Sequence, residues 1–292
     1  MIAAWTVRNY LDSRYVPEKL DMTSGSILQL HIAVALLDAW HASPVLLTDL
    51  SPSFLLAWMR CLGETRSAPT VNKKRSCVLA LWRHAAEAGY CSAPTRVAKQ
   101  HEPRRVPTAW RIEDVGRLFA ACDQLQGWWE GGPISFYWRL GLSLIWDTGC
   151  RITEVLLARV MDVDLAAGTW YVPAEHRKGR REDRLYTLHP DTVALVRQTL
   201  AYPRRRLFPF PYHRRQLWVH LHKLLLLAGL PIGRRYGFHC LRRTVESYAA
   251  KARGIEWAAE AIGHSVEVAR RSYVSPAIVG EHRLIDAIPR PI

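Results

Sequence analysis

Thr148-Gly149-Cys150-Arg151-Ile152-Thr153-Glu154-Val155-Leu156 joins a helix-ending glycine, a permanently charged arginine and a carboxylate three residues later. Ahead of it, 134–146 reads as an apolar helix closed by Asp147-Thr148-Gly149. Behind it, 169–172 and 184–188 have the aromatic and β-branched content of short strands. The charged turn between them, 176–183, holds Lys178, the only lysine between Lys99 and Lys223. Helices are predicted over 112–125, 190–200, 213–227, 241–252 and 266–273, which puts Tyr273 near a helix end. The fold class that follows is mostly α with a small antiparallel sheet.

Further upstream, Pro103-Arg104-Arg105-Val106-Pro107 interrupts helix-like sequence on both sides. It divides the chain into a helical domain over 1–102, a link over 103–109 and a second domain over 110–292. Within the first, 26–41 places Ile27, Leu30, Val34 and Leu37 on one stripe, and Ser51-Pro52 opens a helix over 53–62. A longer helix over 69–88 ends at Gly89 and carries Lys73, Lys74 and Arg75 on its early turns. With a further helix extending over 10–15, the expectation is a four-helix unit with one basic face.

The 292 residues are 49 % hydrophobic, enough for a packed core, and carry a net charge of +14. No apolar run approaches the ~18 residues of a membrane span, and the first ten residues lack a secretory pattern. The expected setting is cytoplasmic. Six scattered cysteines contain no C-x-x-C pair and read as buried small apolar residues, and no H-E-x-x-H motif or acidic cluster points to a metal. Charge is concentrated: 177–243 holds sixteen basic and three acidic side chains. Most of the basic residues are arginine, which takes phosphate bidentately, so the expected partner is a nucleic acid.

Five pieces occur in one order. They are 148–156 above, Lys178-Gly179-Arg180, His239-Cys240-Leu241-Arg242-Arg243-Thr244, Ile262-Gly263-His264-Ser265, and Arg271-Ser272-Tyr273. An H-x-x-R piece alone says little, since about 1.4 are expected by chance here and His101 and Arg104 form a second. Taken together and in order, the pieces resemble the tyrosine recombinases, the family of phage integrases and Xer- and Cre-type enzymes. The resemblance is specific over 110–275; 1–102 matches the family's core-binding domain only in helical pattern.

The resemblance implies Tyr273 as nucleophile and Arg151 and Arg242 as paired donors to phosphate oxygens. It also implies His239 as proton acceptor or phosphate donor, Lys178 as general acid for the leaving 5′ oxygen, and His264 as a phosphate donor. Glu154 supports a catalytic neighbour. Lys73, Lys74, Arg75, Arg180, Arg181 and Arg243 are candidate DNA contacts. Charge growing on non-bridging oxygens calls for such fixed cations, and a phenol of pKa near 10 needs its proton removed.

The implied activity is site-specific cutting and rejoining of double-stranded DNA through a 3′-phosphotyrosyl link, with no cofactor and no metal. The implied assembly is a homotetramer on two duplexes, with room for accessory DNA-bending proteins and with no membrane partner. A type IB topoisomerase and a non-catalytic DNA-binding protein are the alternatives. An amphipathic helix over 279–288 would dock on the next protomer.

Overall fold

The computed structural model describes residues 5–179, 182–201 and 205–280. The chain divides into two compact units, Met1–Pro103 and Arg104–Ile292.

The first unit is helical. A short α1 (Val7–Tyr10) runs into a π-helical turn, Leu11–Tyr15, and is followed by α2 (Ser24–His41), α3 (Pro52–Thr65) and α4 (Ala68–Glu87). The starts follow local chemistry. Thr23 accepts the Ser26 N–H to cap α2, and Ser51 accepts the Phe54 N–H ahead of Pro52 in the first turn of α3. Trp58 and Trp82, each 1 % exposed, lie in the core with Tyr10, Leu37 and Leu55. From Ser92 the chain runs without regular structure to Arg111. Its first part stays with this unit, because Asn72 brackets Gln100, donating to its carbonyl and accepting its N–H, both at 2.9 Å.

The second unit opens with α5 (Ile112–Cys122) and a small hairpin of β1 (Trp128–Trp129) and β2 (Gly132–Pro133). Then come α6 (Ile134–Thr148), the short α7 (Ile152–Leu157) and three strands: β3 (Val163–Asp164), β4 (Thr169–Val172) and β5 (Arg184–Thr187). The strands form an antiparallel sheet in the order β3-β4-β5, with Trp170 opposite Tyr186. Period-2 alternation buries that pair against the core and leaves Tyr171 and Leu185 on the exposed face. The chain continues through α8 (Pro190–Gln198), α9 (Arg214–Leu227), α10 (Phe238–Arg253), α11 (Ile255–Ile262), α12 (Val266–Ser272) and α13 (Pro276–Val279). A mostly helical unit with small antiparallel sheets is the architecture expected. The elements α7 and α11 and the first hairpin were not anticipated.

Two expectations change. Cys61 is exposed rather than buried; Cys122, Cys150 and Cys240 are buried, and desolvation pushes each of these thiols up to about 12. The helix begun by Pro276 ends at Val279 with Gly280 left-handed, and the rest of the expected tail helix lies outside the described residues.

Candidate active site

Helix α10 carries two of the expected catalytic residues, His239 and Arg242, and the candidate DNA contact Arg243. His239, Arg242 and Glu246 recur at helical spacing along it, with Arg243 and Ser247 one residue further round. Arg242 is 1 % exposed. One terminal nitrogen donates to the Gly149 carbonyl, which caps α6, and the other to the Ile262 carbonyl at the end of α11, 3.4 Å away. Such carbonyls have no donor within their own helix, and a cation there also meets the negative end of the helix dipole. Arg184 of β5 treats the same end alike, donating to Glu260 and Ala261 at 2.6 and 2.5 Å. Gly149 is needed where it stands: its φ is +60°, and a Cβ would sit 2.8 Å from the Ile262 side chain.

Arg151 occupies the N-cap of α7, and its backbone N–H and Nη1 both reach Glu154 Oε1 at 3.4 Å. The Glu154 carboxylate is buried and takes a third hydrogen bond, on Oε2, from the Tyr186 hydroxyl at 3.3 Å. It therefore links α7 to β5 and orients Arg151, beyond a simple intrahelical pair. Burial, then the Glu154 charge, push the Tyr186 phenol well above its ordinary value, so this tyrosine remains a protonated donor.

Tyr273 follows the last turn of α12 and is half-buried. The His264 ring lies 4.6 Å from its ring centre, tilted by 31°, and the Arg242 guanidinium carbon is 5.4 Å from the same centre. The backbone around Tyr273 is fastened to α10. Arg243 Nε donates to the Ser272 carbonyl at 3.0 Å, and Ser247 Oγ accepts the Ser275 N–H at 2.9 Å. The Ser247 hydroxyl itself donates to the Arg243 carbonyl at 2.7 Å, with the Tyr273 carbonyl a longer 3.4 Å away. His264 follows the left-handed Gly263, and its Nε2 meets Glu246 Oε2 at 3.0 Å.

His239, in the first turn of α10, is exposed. Partial desolvation of its ring lowers its pKa, and the charges of Arg242, Arg243, Arg151 and Lys178 push it down further. The expected cations thus act together on one imidazole and keep it neutral. Lys178 itself is exposed, one residue before the left-handed Gly179.

The candidate DNA contacts fare unevenly. Lys73 is exposed. Lys74 is not a surface cation: it is 5 % exposed, its ammonium bonds the Gln29 side chain at 3.2 Å, and burial lowers its pKa. Arg75 is half-buried and donates to the Val97 carbonyl, so it fastens the chain leaving α4. Arg243 is committed to the Ser272 carbonyl, a tether rather than a free contact. Arg180 and Arg181 lie outside the described residues. Glu246 and Ser247 were not anticipated; the available clue was their placement four and five residues after Arg242.

Comparison with known proteins finds no match among curated sequences. Solved structures do match. A lambda integrase fragment (residues 75–356), a dimer bound to a COC′ core site, is 16 % identical with a TM-score of 0.68, covering 99 % of each chain. A transposon Tn1549 integrase in complex with a circular intermediate DNA gives 12 % and 0.67, over 97 % of this chain and 99 % of that one. The XerH recombinase bound to palindromic difH substrate after cleavage gives 18 % and 0.64, over 96 % and 75 %. At these identities the likeness is one of fold. The family model described as phage integrase family matches residues 111–277, more than half of the chain. The chain therefore belongs to the phage integrase family, the tyrosine recombinases.

Proposed function

We propose that this protein is a site-specific DNA recombinase that cuts and rejoins double-stranded DNA through Tyr273. The observation that carries the reading is the setting of the Tyr273 ring. It lies against His264 and the Arg242 guanidinium, on a backbone fastened to the helix that also carries His239.

In the cleavage step the Tyr273 oxygen attacks the scissile phosphorus. A phosphotyrosyl bond forms to the 3′ side as the bond to the 5′ oxygen breaks. Neutral His239 accepts the phenolic proton, which is why its lowered pKa suits it to the task. Lys178, exposed on its turn, supplies a proton to the leaving 5′ oxygen. Arg151, oriented by Glu154, offers donors to the non-bridging oxygens. Arg242 adds a fixed charge beside the Tyr273 ring; two of its five N–H donors serve carbonyls, and three remain. The 5′ hydroxyl of a partner duplex then attacks the phosphotyrosyl bond, restoring the phenol, so the energy of the broken bond is kept. Four protomers on two duplexes would exchange strands pairwise, with 1–103 serving as the core DNA-binding unit.

Two differently labelled duplexes carrying the target site test the reading. Exchange of label between them is expected. Relaxation of a supercoiled plasmid with no exchange would overturn recombination in favour of a topoisomerase, and binding without cleavage would overturn both.

A further inference from the structure

Glu246 is a charged side chain with no access to solvent, on the face of α10 that also carries Arg242. Burying a carboxylate costs several kcal/mol unless hydrogen bonds replace the lost water. Here only half of that replacement is made. Oε2 faces His264 Nε2 at 3.0 Å, while Oε1 has no hydrogen-bond partner among the described residues. With the carboxylate as acceptor, the proton between the two groups is the Nε2–H of His264. The other ring nitrogen, Nδ1, lies 3.3 Å from the Ser265 carbonyl. Nε2 is thus engaged by the protein and does not point freely toward a phosphate. What the ring does contact is Tyr273.

We propose that Glu246 is a positioning residue for DNA cleavage: by taking the Nε2–H of His264 it seats the imidazole against the Tyr273 ring and so aims the phenol. The proposal rests on the reading of Tyr273 as nucleophile. It revises the role expected of His264, from a donor already free to meet the phosphate to a group held on the tyrosine. An error of about 1 Å in aim can cost on the order of a hundredfold in rate, so a ring-seating contact is enough to matter.

Single-turnover formation of the covalent adduct on a nicked duplex, measured beside DNA affinity and a thermal melt, tests it. Glu246→Leu is expected to slow adduct formation ~10–100-fold while DNA affinity stays within about twofold. Glu246→Gln, which keeps an oxygen acceptor for Nε2–H, is expected to recover most of the rate. In a His264→Phe background, Glu246→Leu is expected to add no further loss, because the two residues act in series. Glu246→Leu cleaving at the wild-type rate, or losing the same factor in that background, overturns the proposal.

Should Glu246→Leu fail to melt cooperatively, nitrogen NMR of the wild-type ring decides. A protonated Nε2 with a downfield proton supports the contact, and a bare Nε2 overturns it. Absence of any adduct from the wild type would overturn the Tyr273 reading, and this proposal with it. A normal wild-type adduct with an indifferent Glu246→Leu overturns the proposal alone.

Discussion

The Arg242 guanidinium carbon lies 5.4 Å from the centre of the Tyr273 ring, so a permanent charge sits beside the proposed nucleophile. That charge cannot wander. Each of its two terminal nitrogens donates to one carbonyl, those of Gly149 and Ile262, which close two different helices. One side chain therefore ties α6, α10 and α11 together and supplies the field at the phenol.

Arg242→Lys is accordingly a severe change. A single ammonium cannot serve both carbonyls and keep its charge in the same place. Leaving one buried carbonyl unpaired should cost about 2 kcal/mol in urea unfolding. Adduct formation should fall on the order of a hundredfold. Wild-type stability in the lysine variant would contradict the role of the two carbonyl contacts.

Ser247→Ala should act through the backbone rather than through the chemistry. It strands the N–H of Ser275, a residue 3 % exposed, and loosens the turn that follows Tyr273. The expected loss is ~1–2 kcal/mol in chemical denaturation, with slower adduct formation at unchanged DNA affinity. Unchanged stability and an unchanged rate would show that the turn holds without this hydroxyl.

His239 gives the site a pH signature. Its folded-state pKa is depressed below the ordinary 6.5 by partial desolvation and by its four cationic neighbours. Adduct formation should therefore hold steady as pH falls through 6.5 and decline only below it. The linked stability has the same sign. It is fully present above 6.5 and is lost as pH falls through the folded-state value, where the unfolded chain binds the proton first. His239→Gln should remove that acid-side loss. A midpoint at or above 6.5 in the wild-type rate would contradict the assignment.

In the first unit, Lys73→Ala should weaken DNA binding and reduce its dependence on salt by about one ion. Lys74→Met should do neither, because the buried ammonium at Gln29 is not offered to a phosphate. A loss of DNA affinity in Lys74→Met with an intact melt would contradict the placement.

Why the sequence revealed some of this and not the rest has a physical basis. The strands around Lys178 and the helices bearing Arg242 and Tyr273 were legible because periodicity and turn chemistry are local. The eight-residue α11 is too short for a convincing stripe, although its flanking Gly254 and Gly263, both with positive φ, mark its ends. The paired strands β1 and β2 are two residues each and depend on a left-handed Glu130 and Gly131, which no alternation announces. Lys73, Lys74 and Arg75 carried a warning that went unused: consecutive helical residues point about 100° apart, so three in a row cannot share one face. Glu246 was hidden for a different reason. A glutamate four residues after an arginine reads as a solvated helix face, and its burial comes from tertiary packing that also sets His264 against it.

Covalent capture of DNA by Tyr273 is measured most directly with nicked duplexes tiled from the DNA flanking the gene. Wild type and Tyr273→Phe are incubated with them and run on a denaturing gel. A protein–DNA band formed by the wild type and absent from Tyr273→Phe is the predicted result. An adduct that persists in Tyr273→Phe would contradict the assignment of the nucleophile.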